Sequence, residues 1–359
     1  MIEYGKSVCK NCLKQSYGWM YYIHQQNLVV KVSKNRLGDY SVTPLNEENC
    51  HIYMTEKPRK FRGLPDSISI CVEKEGEKNL YTLRRDRRIC PHCYEEGRIT
   101  YLPSWAGYYD TYLIGILGRP GSGKSAWTDA CIHGENLRKN PRLGANIIQY
   151  GSKKEEATPF GQRDDLVKTL SYKLGKKQIK ILLVDTPGEL ETRHADNSAT
   201  TDYEWHLSRV ERCDGLLYMV DGETCNKSDV EWLSNLLLCK LPMCIVMTKS
   251  DLLKKKCIDG ILKVNGEPII TDGYFENQNK MQTAGIYEKS KHMALDRHII
   301  KKLSCVLSNI ENNVDKDLGY FLISSGTDGS DKEGILFENG VNVYGPLEYI
   351  LSKLKIYKF

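Results

Sequence analysis

The pattern of apolar and polar residues changes near residue 110. Before this point, short runs rich in β-branched and aromatic residues alternate with turn-forming residues, which predicts a small β-rich region. After it, apolar runs of strand length alternate with longer segments of helical periodicity. This alternation is typical of an α/β fold with a mostly parallel sheet. The sequence therefore predicts two domains, 1–110 and 111–359.

The later part of the chain is expected to contain a six-stranded sheet. Its second and third strands are separated only by Leu174 to Lys177, too short a connection for a crossover helix. These two strands should therefore form an antiparallel hairpin. Residues 254–282 do not fit the alternation and are interpreted as an insertion. The predicted strands span 112–117, 165–173, 179–184, 215–221, 243–248 and 319–324, and the predicted helices span 125–138, 199–212, 227–239, 283–311 and 346–355.

The composition is that of a globular protein, with 40% hydrophobic and 27% charged residues in a chain of 359. Apolar runs stay well short of the roughly 20 residues that cross a bilayer, and the first residues lack the apolar core of a signal peptide, so a cytoplasmic location is expected. The net charge of +5 does not by itself indicate nucleic acid. The basic cluster from Arg84 to Arg88, with tyrosines nearby, is the feature that would suit binding to nucleic acid.

The segment Gly118 to Ser125 reads GRPGSGKS, which is a G-x-x-x-x-G-K-S phosphate loop. It follows a predicted strand and precedes a predicted helix, which is the context that this motif requires. Backbone N–H groups of the loop and the helix N-terminus would bind phosphates, Lys124 would reach the β- and γ-phosphates, and Ser125 would bind Mg²⁺. The predicted phosphate-binding residues are Gly118, Gly121, Ser122, Gly123, Lys124, Ser125 and Ala126.

Three further motifs follow at the ends of predicted strands. The first runs from Asp185 to Gly188, where the carboxylate suits a Mg²⁺ site and the glycine N–H can bond the γ-phosphate. The second runs from Thr248 to Asp251, where a carboxylate can accept both hydrogens of the guanine N1 and N2 edge. In the third, backbone N–H groups of Ser324, Ser325 and Gly326 could bond the guanine O6.

In this order, the four motifs resemble the P-loop GTPases of the translation-factor-related class, to which Ras-like and Era-like proteins belong. The resemblance covers residues 112–355 and implies a three-layer α/β fold with bound GTP or GDP and Mg²⁺. It also implies that Lys249 lies along the base, and that Thr248 takes the place of the commoner asparagine, as in Rho-like members. For the switch threonine that binds Mg²⁺, Thr158 is preferred, with Thr169 as the competitor.

One departure from this family concerns catalysis. Glu189 stands where Ras-like members have the glutamine that orients the attacking water. A carboxylate can accept a proton from water, but it cannot donate to the γ-phosphate, and its charge repels phosphate. With Lys124, Glu189 and Thr158 as the candidate catalytic residues, hydrolysis is expected to be slow.

The N-terminal region contains two C-x-x-C pairs, at Cys9 to Cys12 and at Cys90 to Cys93. Thirteen cysteines in a chain without an export signal favour reduced thiols, some of them holding metal. A redox role would require a helix that begins at the cysteine in a thioredoxin-like unit, which neither context suggests. His51 and His92 are spare candidates as ligands. The pairs resemble a zinc ribbon, with zinc held by Cys9, Cys12, Cys90 and Cys93.

These observations favour a GTP-binding molecular switch whose zinc-ribbon domain recognises partners, such as effector proteins that distinguish the GTP state. The combination resembles GTPases of bacterial multi-gene conflict, or defence, and signalling systems. Three alternatives remain open. The chain could be an ATPase, a nucleic-acid-binding zinc-ribbon protein regulated by nucleotide, or a scaffold that binds GTP without hydrolysing it.

Overall fold

The chain divides into two compact units, one formed by residues 1–112 with 178–180 and the other by residues 113–177 with 181–359. Among the described helices, none combines the length and apolar composition that crossing a membrane would need. The computed structural model describes residues 7–16, 19–24, 28–34, 39–46, 49–56, 67–133, 167–174, 177–186, 208–222, 236, 240–250, 263–264, 267–268, 286–303, 318–324 and 342–356.

The first unit is built from short antiparallel strands. Strands β1 and β2 form a two-stranded sheet, β5, β4, β3 and β9 a four-stranded sheet in that order, and β6, β7 and β8 a three-stranded sheet. The bounds are β1 Ser7–Val8, β2 Gln15–Ser16, β3 Trp19–Ile23, β4 Val29–Lys34, β5 Tyr40–Pro44, β6 His51–Met54, β7 Ser67–Lys74, β8 Glu77–Arg84 and β9 Arg88–Ile89, followed by helix α1 Pro91–Glu95.

Alternation along β7 explains how this unit forms a core. Ile68, Ile70 and Val72 are buried and belong to one hydrophobic cluster with Tyr22 and Val30 of the four-stranded sheet. A strand with period-two alternation buries one face and leaves the other to solvent. The predicted β-rich N-terminal region is therefore confirmed.

The second unit contains the predicted six-stranded sheet, in the order β11-β12-β10-β13-β14-β17. Strands β10, β13, β14 and β17 run parallel. Adjacent β11 and β12 are joined by two residues, which only an antiparallel hairpin permits. The mostly parallel sheet with its hairpin is confirmed. The bounds are β10 Asp110–Leu117, α2 Lys124–His133, β11 Val167–Leu174, β12 Lys177–Asp185, β13 Gly215–Asp221, β14 Met243–Thr248, β15 Lys263–Val264, β16 Glu267–Pro268, α3 Ile286–Leu303, β17 Gly319–Leu322 and α4 Gly345–Lys353.

Several elements differ from prediction at their ends. Helix α4 ends at Lys353, two residues early, because Lys355 takes a left-handed conformation with φ 58°. The Ile356 N–H then bonds the Leu351 carbonyl at 3.0 Å, which satisfies a terminal group of the helix. Within the predicted insertion, β15 and β16 pair antiparallel. Of the helices predicted at 199–212 and 227–239, the structure describes only 208–210 and Leu236 as helical.

The central strands of this sheet are continuous apolar runs. Every residue of β14 is buried, as are six of the seven in β13. Strands covered on both faces show this pattern, because helices pack against each side of a parallel sheet. Helix α2 is attached to the turn before α4, where the Trp127 indole donates to the Val343 carbonyl at 2.8 Å. The sheet therefore holds the carboxyl ends of β10, β12, β13, β14 and β17 in fixed positions.

Candidate nucleotide site and candidate metal centre

The loop between β10 and α2 has the backbone conformation of a phosphate cradle. Gly118 and Gly123 have φ values of 144° and 84°, a region that side chains rarely adopt. A Cβ on Gly118 would lie 2.4 Å from the Met219 carbonyl oxygen, so the loop approaches β13 too closely for any other residue. The Trp127 N–H bonds the Gly123 carbonyl at 2.9 Å and begins the helix. These glycines allow the close turn that the motif predicts.

Lys124 lies against the loop that it follows. Its side chain is buried, and its ammonium donates to the carbonyls of Gly118 and Arg119, the latter at 2.9 Å. Burying a charge is costly unless hydrogen bonds satisfy it, and here two loop carbonyls do so. The arrangement keeps a positive charge at the cradle, where phosphates would bind.

Ser125 and Asp185 meet, although 60 residues separate them in the sequence. The Ser125 hydroxyl donates to the Asp185 carboxylate at 3.1 Å. Asp185 ends β12 and is buried, while the next residue, Thr186, donates its hydroxyl to the Ile116 carbonyl of β10 at 2.8 Å. A hydroxyl and a carboxylate side by side are oxygen ligands of the kind that Mg²⁺ prefers. The residues therefore fit the magnesium site that the sequence predicts.

Thr248 links the end of β14 to the phosphate loop. Its buried hydroxyl contacts the carbonyls of Ser122 at 2.9 Å and Val220 at 3.3 Å. A hydroxyl has one proton to donate, and both contacts are carbonyl acceptors, so it is engaged with backbone. Thr248 thus connects the end of β14 and the end of β13 to the phosphate loop.

Lys249 has an uncommon backbone conformation and a charged partner. Its φ is 56°, in the left-handed region, and its ammonium lies 2.8 Å from an oxygen of Asp221. Asp221 ends β13 and pairs in register with Thr248. Sequence analysis missed Asp221, although an acidic residue directly after the buried run that ends at Val220 was a usable signal.

The motif that begins at Ser324 lies beside the motif that begins at Thr248. The Ser250 N–H bonds the Ile323 carbonyl at 3.0 Å, and the Ile323 N–H bonds the Met247 carbonyl at 2.9 Å. Ser324 follows and is buried. Thr169, the competing switch threonine, lies buried within β11. Six other predicted site residues lie outside the described residues and stay predictions, namely Thr158, Gly188, Glu189, Asp251, Ser325 and Gly326.

In the first unit, the two C-x-x-C pairs converge. The four sulfur atoms lie within 4.8 Å of one another, with Cys9 to Cys93 at 3.8 Å and Cys12 to Cys90 at 3.6 Å. A zinc ion at about 2.3 Å from each of four tetrahedral sulfurs would separate them by about 3.8 Å. A disulfide would instead require about 2.05 Å. The four buried thiols fit a structural zinc site.

Neighbouring residues connect the two cysteine pairs. Asn11 and His92 occupy the third position of their respective pairs. The Asn11 amide contacts the Cys93 sulfur at 3.9 Å, and His92 Nε2 lies 3.0 Å from the Gln15 carbonyl. Each pair therefore touches the segment that holds the other. Neither His92 nor the exposed His51 belongs to the four-thiol group.

A short helix begins at the second cysteine pair. Helix α1 starts at Pro91, and the Cys90 sulfur caps it by accepting the Cys93 N–H. A proline in the first turn favours this start, because its missing N–H would have no partner there. The helix has only five residues, and all four thiols face one centre. This convergence favours metal over a two-cysteine redox pair.

Clustering spreads the pKa values of the thiols. Hydrogen bonds from Cys9 and from Cys90 lower the pKa of Cys12, because they stabilise its thiolate. The contact between Cys9 and Cys12 raises the pKa of Cys9 well above its ordinary value. Metal binding requires thiolates, so loading the site would release protons from the remaining thiols.

The basic cluster from Arg84 to Arg88 is partly internal. Arg88 is fully buried, and its guanidinium donates to the backbone carbonyls of Arg85, Ala106 and Ser104. Arg85 also donates to Ser104 and stacks on the Tyr108 ring, 3.6 Å from its centroid. Two of the four arginines therefore stabilise this unit, which weakens the case for a nucleic-acid surface.

Comparison with known proteins assigns the central segment. Residues 113–249 match the family model described as 50S ribosome-binding GTPase. This segment, which contains the loop, Asp185 and Lys249, is therefore a P-loop GTPase domain. No curated protein matches the chain.

Some solved structures are distantly similar to this chain, with TM-scores below 0.5. The apo form of translation elongation factor SelB from Methanococcus maripaludis is 17% identical over 70% of this chain and 36% of its own, with a TM-score of 0.33. Era from Aquifex aeolicus bound to GDP and AlF4⁻ is 15% identical over 67% and 56%, at 0.32. The septin GTPase domain from Chlamydomonas reinhardtii is 14% identical over 48% and 69%, at 0.28. The chain thus spans about a third of the SelB structure.

Proposed function

We propose that this protein is a cytoplasmic GTP-binding molecular switch that hydrolyses GTP slowly and recognises its partners through a zinc-bound N-terminal unit. The contact between Ser125 and Asp185 carries the nucleotide part of this proposal. Two oxygen ligands from distant segments meet beside a glycine cradle and a buried lysine. An ordinary glycine turn would not be expected to combine two oxygen ligands, a glycine cradle and a buried lysine.

Different residues of the site would bind different parts of the nucleotide. Lys124 neutralises phosphate charge, and loop N–H groups hold the phosphate oxygens. Mg²⁺ bound by Ser125 and Asp185, with Thr158 as a further ligand, would offset the charge that develops during phosphoryl transfer. Lys249 and Asp251 recognise the base. Glu189 orients water poorly, which makes turnover slow.

Zinc at Cys9, Cys12, Cys90 and Cys93 would serve structure rather than catalysis. A closed set of four thiolates leaves no position for substrate. The unit that it stabilises would bind effector proteins that distinguish the GTP state from the GDP state. A bacterial multi-gene defence or signalling system is the proposed setting, on the strength of the motif combination alone.

Titration with fluorescent GTP, ATP and XTP tests the nucleotide part. The parent should prefer GTP, and Lys124→Ala should bind none of the three, because it removes phosphate neutralisation. Asp251→Asn should lose GTP and gain XTP, since its amide can donate to the additional keto oxygen of xanthine. Preference of the parent for ATP would indicate an ATPase instead. Equal GTP affinity in the parent and in Asp251→Asn would show that Asp251 does not bind the base.

Two further measurements separate the other candidates. Single-turnover assays should show slow GTP hydrolysis, and no hydrolysis at all would indicate a binding scaffold. Pulldowns with protein loaded with GTP analogue or GDP should recover partners from the GTP state only. Binding to RNA or DNA that weakens steeply with salt would instead support a nucleic-acid partner.

A further inference from the structure

Asp221 connects two neighbouring strands at the edge of the sheet that carries the nucleotide site. It ends β13, and its carboxylate lies 2.8 Å from the ammonium of Lys249, which directly follows β14. Asp221 is only 13% exposed, while Lys249 is 34% exposed. An ion pair with one partner this buried is screened less than a surface pair. The contact therefore constrains the lysine side chain.

The backbone at Lys249 is constrained as well. Its left-handed φ of 56° is unfavourable for a lysine, and such a conformation persists only where the surroundings impose it. The residues on both sides impose it here. The Thr248 hydroxyl contacts the loop carbonyl of Ser122, and the Ser250 N–H bonds the Ile323 carbonyl. Backbone and side chain of Lys249 are thus fixed from three directions.

We propose that Asp221 is a positioning residue for base binding. It holds the ammonium of Lys249 so that the aliphatic stem of the lysine lies along the plane of the bound guanine. This inference rests on the proposed function, because it assigns a task within the same site. Asp221 touches neither phosphate nor base in this scheme, so it acts through Lys249.

Removal of the Asp221 charge should weaken the binding of guanine nucleotides, whether or not they carry a γ-phosphate. We expect Asp221→Asn to lower the affinities for GDP and for a GTP analogue by the same factor, about tenfold, which is typical of coupling between residues in contact. Asparagine keeps the size of the side chain, so the fold should be retained. A loss confined to the GTP analogue would overturn the proposal, because it would place the effect at the phosphates.

A double-mutant cycle with Lys249→Met tests the route of the effect. Methionine retains an apolar stem but removes the ammonium, so Asp221 no longer has a charge to hold. In that background Asp221→Asn should cause no further loss of affinity. Equal losses in both backgrounds would show that Asp221 acts independently of Lys249 and would overturn the proposal.

Asp214 provides the matched control. It precedes β13 at the opposite end of the strand, and its carboxylate accepts the Leu113 N–H at 2.8 Å. Asp214→Asn should leave both nucleotide affinities unchanged. If it lowers them as much as Asp221→Asn does, the effect is one of general stability and the proposal fails. If the parent binds no guanine nucleotide, the proposed function itself has failed, which is a separate result.

Discussion

At the candidate nucleotide site, Lys249 adopts a backbone conformation that a residue with a side chain disfavours. Lys249 is left-handed, and the residues on either side of it are bonded to the phosphate loop at Ser122 and to the residue that follows β17, Ile323. Left-handed backbone costs a residue with a side chain roughly 1–2 kcal/mol relative to glycine. The site therefore retains a lysine at a position where stability alone would favour glycine, which indicates a function for its side chain.

This cost can be measured by comparing Lys249→Gly with Lys249→Ala. Both variants lack the ammonium, so both should lose guanine-nucleotide affinity. The glycine variant should be more stable than the alanine variant by about 1 kcal/mol, because only alanine retains the strained Cβ. Urea denaturation provides the comparison. Equal stabilities would mean that the backbone is not strained here.

Sequence motifs predicted which residues meet at the cradle, but not how they are held. The partnership of Ser125 with Asp185 follows from motif order, because parallel strands end at one edge of the sheet. The contacts of Thr248 and Asp221 depend instead on the register between β13 and β14. Register arises from packing of whole strands, which short motifs do not encode.

At the scale of elements, helix α3 supports the edge strand of the sheet. Asp296 of α3 is fully buried and accepts the Leu322 N–H of β17 at 3.1 Å. Strand β17 pairs with β14 on one side, so this carboxylate satisfies a backbone group on the other. His292, one turn earlier on α3, lies 3.6 Å from the same carboxylate and is also buried.

Burial of His292 predicts a loss of stability in mild acid. Its pKa falls from 6.5 to about 4, because burial penalises the charged imidazole. The unfolded chain therefore takes up a proton as pH falls below about 6.5, while the folded protein does so only near 4. Between about pH 7.5 and pH 5, this difference in proton uptake should lower the free energy of unfolding by about 2 kcal/mol.

Replacement of His292 should remove this part of the pH dependence. Between about pH 7.5 and pH 5, we expect the free energy of unfolding of His292→Gln to fall by about 2 kcal/mol less than that of the parent. Denaturation of the second unit measures this difference. His298→Gln is the control, because His298 is exposed on the same helix. If the parent and His292→Gln show parallel pH profiles, His292 is protonated equally in both states and the explanation is wrong.

At the scale of the whole molecule, the α/β unit was predicted more completely than the N-terminal unit. Alternating strands and helices identify a parallel sheet from local pattern. In the N-terminal unit, β3 pairs with β9 more than 60 residues later, and β9 leads directly to Cys90. The convergence of the cysteines was predicted, but such distant pairings leave no local signal from which sheet order could be derived.

Metal removal should act on one unit and spare the other. Structural zinc sites contribute binding energy to folding, on the order of 10 kcal/mol in small domains. The four thiols come from the two ends of the first unit, so loss of zinc would release both ends from one another. We expect chelation, or Cys93→Ser, to abolish cooperative unfolding of the N-terminal unit. Guanine-nucleotide affinity should remain, because the second unit has its own core.

Metal analysis and hydrogen exchange test this expectation on the full chain. The parent should contain one zinc per chain and show slow exchange at β3 and β9, whereas Cys93→Ser should contain none and exchange rapidly there. Cys50→Ser is the matched control, since Cys50 is partly exposed in the same unit and lies outside the four-thiol group. It should keep both zinc and protection. Protein prepared without chelators that contains no zinc, yet protects β9, would show that the thiols pack without metal.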